Sequence, residues 1–237
     1  MPNSVFHFKQ FSIHQGDAAM KVTTDACIFG AILSKHAAKG VNGLDIGAGT
    51  GLLTLMAAQC GILPITSLEI ERNAYKQAKE NIAASNWTDD ISLFHRSLQE
   101  YAGNNHALFG LIFSNPPFYP KHLKSKNPAA NAAMHQSTLG FAELLMGVKK
   151  LLLPDGEFWV LLPYSQAIAF EQLAVGHGLY RNAEWKIREN EDKPWIRVVQ
   201  KYAFSSRFNP QKNDFTIRNA DRNYSTEMKN LMEDFYV

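Results

Sequence analysis

Asn115, Pro116, Pro117 and Phe118 form the stretch best suited to hold a reacting group. They follow Leu108-Phe109-Gly110-Leu111-Ile112-Phe113 and Ser114, an apolar run that reads as a buried strand. Two consecutive prolines carry no amide hydrogen and hold φ fixed, so the strand ends here and no helix interior begins. Asn115 precedes a proline and is pushed out of the α region. The expected result is a stiff turn with outward carbonyls, an amide side chain beside them, and the aromatic pair Phe118 and Tyr119 next. A carboxamide oxygen and a fixed carbonyl are two aimed acceptors. They suit the two hydrogens of a planar amino group, and an aromatic ring suits its flat face. The alternative role for the same residues is an ordinary turn closed by an Asx-type side-chain bond.

A second chemical stretch lies upstream. Leu44-Asp45-Ile46 leads into Gly47-Ala48-Gly49-Thr50-Gly51, and then Leu52 to Ala58 continue as an apolar run. This reads as a strand, a tight turn and a helix. Glycines let the backbone bend and let a ligand approach without meeting a Cβ, and the helix start offers free amides. The spacing Gly-x-Gly-x-Gly with Asp45 just ahead differs from the Gly-x-Gly-x-x-Gly of dinucleotide sites. It suits S-adenosyl-L-methionine, which carries an ammonium and no pyrophosphate, with Asp45 as a candidate anchor near the donor. The alternative is a generic strand-to-helix turn. Ile65 to Glu71 read as the next strand, with Glu69 at its C-terminal end, where open α/β sheets bind ligands. A carboxylate there suits both hydroxyls of a ribose. Glu71 is expected to cap the following helix.

These stretches need a scaffold. Phe6 to His14 alternate as a strand, and a helix is expected after Thr24 or Asp25, which either cap it or line the donor pocket. Arg72 to Ala84 form a helix that buries Ala74, Ala78 and Ile82. Ile91 to His95 form a short strand followed by Ser97, a candidate N-cap, while His95 reads as a structural or surface histidine. Lys121, Lys124 and Lys126 lie in a polar loop that either holds phosphates or is simply solvated. Leu153 to Glu157 read as a turn before a strand over Phe158 to Pro163. Two alternating runs, Ala183 to Arg188 and Ile196 to Phe204, read as an antiparallel pair. Strands alternating with helices, then that pair, predict an α/β doubly wound sheet of seven strands.

The chain has 237 residues, 46% hydrophobic and 19% charged, which suits one large α/β domain. Residues 1–237 are expected to form a single unit: an extension over 1–40 beside the donor pocket, a core over 41–205, and a C-terminal strand and helix over 206–237. The net charge of +2 is compatible with a nucleic-acid partner without arguing for one. Cys27 and Cys60 have no metal-type spacing, and neither follows a proline, so a Pro-Cys nucleophile is absent. They read as reduced thiols in a cytoplasmic protein, with no metal site. The N-terminus does not read as a signal peptide, and no apolar run is long enough to span a bilayer.

Taken in order, Asp45 with Gly47, Gly49 and Gly51, then Glu69, then Asn115 to Phe118 resemble the adenosylmethionine-dependent N6-adenine methyltransferases. In these enzymes an Asn-Pro-Pro-aromatic block marks methylation of an amino nitrogen in a planar group. More narrowly, three stretches resemble the bacterial tRNA1(Val) (adenine-37-N6)-methyltransferase family. They are Phe8-Lys9-Gln10-Phe11 through Met20-Lys21-Val22 to Asp25, the block Asn115 to Tyr119, and the ending Asp234-Phe235-Tyr236. The resemblance implies a class I, Rossmann-like, seven-stranded mixed sheet with helices on both faces, S-adenosyl-L-methionine as donor and tRNA as partner. It implies catalytic roles for Asn115, Pro116, Pro117 and Phe118. It implies donor contacts from Thr24, Asp25, Asp45, Gly47, Gly49, Gly51, Glu69, Ser97 and Asn115, with Ser97 near the adenine ring. Phe118, Tyr119, Lys121, Lys124 and Lys126 would meet the substrate. Phe118 departs from the tyrosine that relatives often have there: stacking survives the change, and use of a hydroxyl does not.

Three rivals differ in what they require. Glutamine methylation of a release factor uses the same chemistry, but those enzymes carry a helical domain ahead of the donor motif, where this chain has only about forty residues. A restriction-type DNA adenine methyltransferase needs a large recognition region. A non-catalytic RNA-binding domain would have no use for an intact Asn115 block.

Overall fold

The computed structural model describes residues 4–16, 21–104, 107–117 and 140–237. Strands β1 (Val5–His7) and β2 (Ser12–His14) pair antiparallel as a hairpin. Helix α1 (Thr24–His36) follows, then β3 (Gly43–Ile46), α2 (Leu52–Gln59), β4 (Ile65–Glu69), α3 (Arg72–Ala83), β5 (Ile91–His95), α4 (Leu98–Asn104) and β6 (Phe109–Ser114). Past the next described stretch come α5 (Phe141–Leu151), β7 (Leu152–Pro163), α6 (Ala167–Gly176), β8 (Tyr180–Arg188), β9 (Arg197–Ala203), β10 (Gln211–Thr216) and α7 (Thr226–Met232).

The main sheet runs β10-β8-β9-β7-β6-β3-β4-β5. Strands β3 to β7 pair in parallel, β9 is antiparallel to both β7 and β8, and β10 is parallel to β8. The expected seven strands are present, and β10 adds an eighth at the edge. The C-terminal ends of β3, β4, β5 and β6 therefore share one edge, the place where this class of sheet binds ligands.

Two apolar layers sandwich the sheet. One joins α1, α2, α7 and the hairpin to Trp159, Leu161, Trp185 and Ile187. The other joins α4, α5 and α6 to Phe158, Val160, Leu162 and Tyr202. β7 thus sends alternate side chains into opposite cores, which is why it reads as an unbroken apolar run.

Local expectations shift at two places. Thr23, not Thr24 or Asp25, caps α1: it is extended, and its hydroxyl accepts from the Ala26 amide. Thr24 is already the first helical residue, because the extended conformation that a cap needs falls one position earlier. The turn expected over Leu153 to Glu157 lies inside β7, where the register against β6 shifts between Phe109 and Leu111. The ladder passes over Leu153 to Gly156 and resumes at Glu157, so Pro154 and Gly156 make an irregularity in a long strand instead of ending it.

Candidate active site

The glycine-rich turn closes the end of β3. Gly47, Gly49 and Gly51 all have positive φ, at 80°, 57° and 84°. A Cβ added at Gly47 or Gly49 would meet nothing within 4 Å, so these two backbones border open space. The turn is tied to β4: the amides of Gly47 and Ala48 both donate to the Leu68 carbonyl at 2.9 Å.

Glu69 is buried at the end of β4, only 7% exposed. One carboxylate oxygen accepts from the Gly49 amide at 2.7 Å and the other from the Glu71 amide at 2.7 Å. Each oxygen keeps one further lone pair, and the two backbone bonds fix their directions. This is a pre-aimed bidentate acceptor beside an open glycine cradle. A ribose diol matches it, so the residues present fit an adenosine-bearing donor. Ile70, which sequence reasoning passed over, is 52% exposed next to Glu69 and offers an apolar surface at the same edge. His95 lies 3.0 Å from the Ile70 carbonyl and stacks on Tyr75 with ring centroids 5.0 Å apart, so it has the structural role expected of it.

Asp45 meets the turn from below and not at its open face. It is fully buried under the turn. Thr54 Oγ1 donates to its Oδ2 at 2.6 Å and lies 2.9 Å from the Ser67 hydroxyl. Asp45 Oδ1 has no partner among the described residues. Desolvation pushes this carboxyl up to about 7, the Thr54 bond opposes the shift, and the charge of Glu69 adds to it. Asp45 therefore acts on the turn from beneath, through Thr54 at the start of α2.

Asn115 opens the turn after β6 and is half-buried, Pro116 is buried and Pro117 is exposed. Ser114 Oγ donates to the Ile46 carbonyl at 2.8 Å, and these two residues face each other in the ladder. The acceptor turn therefore starts next to the first residue of the glycine turn. Phe118, Tyr119, Lys121, Lys124 and Lys126 lie outside the described residues.

Thr24 is exposed at the start of α1. Asp25 pairs with Arg197 at 2.7 Å, and its other oxygen accepts from the Ala26 amide. The pair pins α1 to the start of β9, at the sheet edge formed by the C-terminal ends of the parallel strands. Ser97 makes a capping box with Glu100: its hydroxyl donates to the Glu100 carboxylate at 2.8 Å and accepts from the Glu100 amide. Its hydroxyl is thereby used in capping α4. Glu71 caps α3 as expected and is held below the usual carboxylate range by the Asn73 and Ala74 amides.

Asn81 was also missed. It is 1% exposed on the buried face of α3. Its amide nitrogen donates to the carbonyls of Thr50 and His14, and its oxygen accepts from the His14 amide, all within 2.9 Å. One side chain thus joins the hairpin to the glycine turn. The available signal was a polar residue in register with Ala74, Ala78 and Ile82.

Among the described residues, no group of His, Cys, Asp or Glu is arranged to hold a metal ion, and no helix is long and apolar enough to cross a membrane. A family model described as a methyltransferase small domain matches residues 26–173. Solved structures share the fold. P. horikoshii TYW2 in complex with MeSAdo has a TM-score of 0.62 at 14% identity, covering 85% of this chain and 71% of that one. A ribosomal protein L11 methylase from Lactobacillus delbrueckii subsp. bulgaricus has a TM-score of 0.55 at 19% identity, covering 76% and 78%. Full-length sequence relatives carry a more specific name. The tRNA1(Val) (adenine(37)-N6)-methyltransferase of Pseudoalteromonas translucida is 35% identical over 99% of both chains. That of Pectobacterium carotovorum subsp. carotovorum is 37% identical over 98% of this chain and 93% of its own. With its glycine turn, buried Glu69 and Asn-Pro-Pro turn on one sheet edge, the chain belongs to the tRNA1(Val) (adenine(37)-N6)-methyltransferase family.

Proposed function

We propose that this chain methylates the exocyclic N6 amino group of adenine 37 in tRNA1(Val), using S-adenosyl-L-methionine. The observation that carries this is the adjacency of Ile46 and Ser114, which sets the glycine turn and the Asn115 turn side by side. Bound in the glycine cradle, S-adenosylmethionine supplies an electrophilic methyl group on a positively charged sulfur. Glu69 holds the ribose hydroxyls with its two remaining lone pairs, and the Gly47 and Gly49 backbones allow close approach. Asp45 and Thr54 hold the turn from below, while Thr24, Asp25, Gly51 and Ser97 frame the pocket.

The acceptor nitrogen is a poor nucleophile because its lone pair is delocalised into the adenine ring. Asn115 Oδ1 and the Pro116 carbonyl each accept one N6 hydrogen. That draws the amine toward tetrahedral geometry and localises the lone pair, as attack on a methyl group requires. Pro117 keeps the Pro116 carbonyl from turning away. Holding amine and methyl in one pocket supplies much of the acceleration. The target base must leave its stack to reach such a pocket, and Phe118, with Tyr119 beside it, receives it by stacking. Lys121, Lys124 and Lys126 hold nearby phosphates, so transfer weakens as salt rises. A cytoplasmic location fits the two free thiols, Cys27 and Cys60.

A radiolabelled methyl-transfer assay offered tRNA, total RNA, DNA and a release factor tests the proposal. Label in tRNA, recovered as N6-methyladenosine, is expected. Label in the release factor alone would replace the substrate with a protein glutamine.

A further inference from the structure

The catalytic edge of the sheet continues past Asn115 to β7, β9 and β8, because β9 runs antiparallel and its first residue, Arg197, pairs with Pro163 at the end of β7. The β8–β9 connection projects from this edge and carries Trp195. The indole is half-buried. Arg188 lies over it at 4.6 Å from the ring centroid and Lys186 at 4.9 Å. Both cations come from alternate positions on β8, so they reach the ring from the same face of the strand.

The connection is held firmly. The Ile196 amide donates to the Ile187 carbonyl, and the Ile196 carbonyl accepts from the Tyr164 amide just beyond β7. Arg188 bonds to Thr216 Oγ1 and to the Glu191 carbonyl, both at 3.0 Å, and among the described residues it pairs with no carboxylate. Its guanidinium thereby ties the connection to β10 and fixes the turn. Such a surface loses little conformational freedom on binding.

We propose that Trp195 is a stacking platform for an unpaired base of the RNA substrate, a neighbour of the reacting adenine. The inference rests on the RNA substrate named above. Aromatic rings backed by guanidinium groups take bases of any kind through their π faces. The acids near the turn decide what is recognised. Glu189, Glu191 and Asp192 lie in the same connection as Lys193, and Glu189 pairs with Arg218 while Asp214 pairs with Lys186. The local charge is balanced, so the ligand is a base and not a run of phosphates. Between sheet neighbours the spacing is about 4.8 Å, which puts β8 three strands, or about 14 Å, from β6 and Asn115. That is within reach of a nucleotide close to the target in the same loop.

The test compares W195F, W195L and W195A by fluorescence anisotropy with a labelled anticodon stem-loop RNA, and by steady-state kinetics with tRNA. W195A and W195L are expected to weaken RNA binding about tenfold or more, the size of one lost base stack. W195F should stay within about threefold of the native chain. Donor affinity by calorimetry and the salt dependence of RNA binding should not move. A W195L chain that binds RNA like W195F would overturn the platform, and so would a loss of donor and RNA affinity in equal measure. If the native chain methylates no RNA, the substrate assignment falls, yet the anisotropy comparison still decides the role of Trp195.

Discussion

Ser114 Oγ donates to the Ile46 carbonyl over 2.8 Å, across two strands that are 68 residues apart in sequence. This bond joins the last residue of the acceptor strand to the last residue of the donor strand. It sets the Asn115 turn beside the glycine turn, the two halves of the proposed site. Ser114→Ala should cost about 1 kcal/mol of stability, as for a typical buried hydrogen bond. Turnover should fall about tenfold while donor affinity stays near native, because a small displacement of reacting groups is costly. Steady-state kinetics beside calorimetric donor titration would decide. Unchanged turnover would mean that ladder pairing alone aligns the turns.

Glu69→Gln keeps one acceptor oxygen and loses the other, so the amide of either Gly49 or Glu71 loses its acceptor. Donor affinity should drop ten- to a hundredfold, corresponding to about 1–3 kcal/mol for an unsatisfied buried group. Isothermal titration with the demethylated donor product measures this without any turnover. An affinity equal to native would remove Glu69 from the donor site.

Asn81→Leu strips three hydrogen bonds from Thr50 and His14 at once. Stability should fall by about 2–4 kcal/mol, since buried backbone groups are left without partners. The hairpin should lose amide protection in hydrogen exchange before the sheet does. Protection lost uniformly across the chain would argue that the hairpin is not a separate unit clamped by Asn81.

Asp45 titrates near 4 when unfolded, and burial raises it to about 7 in the folded chain. Between those values the folded chain binds a proton that the unfolded chain has released. Its contribution is full below the unfolded value and is lost as pH rises through 7. Asp45→Asn keeps an acceptor for Thr54 and removes the titration. The stability of the native chain relative to Asp45→Asn should therefore decline from pH 4 to pH 8, on the order of a few kcal/mol. Urea unfolding at a series of pH values tests it, and parallel profiles for the two chains would contradict it.

How much was legible in the sequence depended on how local each feature is. The glycine turn, the Glu71 cap and the end of β6 before Asn-Pro-Pro follow from adjacent residues, and the structure forms each at the expected position. The place of Glu69 at the end of β4 was legible because the strand-forming run before it ends there. The joints were not legible. Ser114 to Ile46, Asn81 to His14 and Asp25 to Arg197 span 68, 67 and 172 residues, so each depends on strand order and not on pattern. Thr23 displaced Thr24 and Asp25 as a cap because adjacent polar residues compete for one geometric position. A C-terminal strand was expected over 206–237, but its joining of the main sheet as β10 was not, because it is polar over Gln211 to Asp214 and only Phe215 turns into the core. An edge strand with one covered face carries little apolar signal.

The central claim is that Asn115 and the Pro116 carbonyl activate an adenine amine held against the donor. The most direct measurement is nucleoside analysis of tRNA incubated with methyl donor and either the native chain or Asn115→Ala, beside donor binding by calorimetry. The native chain should yield N6-methyladenosine, while Asn115→Ala should yield none yet bind donor nearly as the native chain does. Normal turnover by Asn115→Ala would contradict the account.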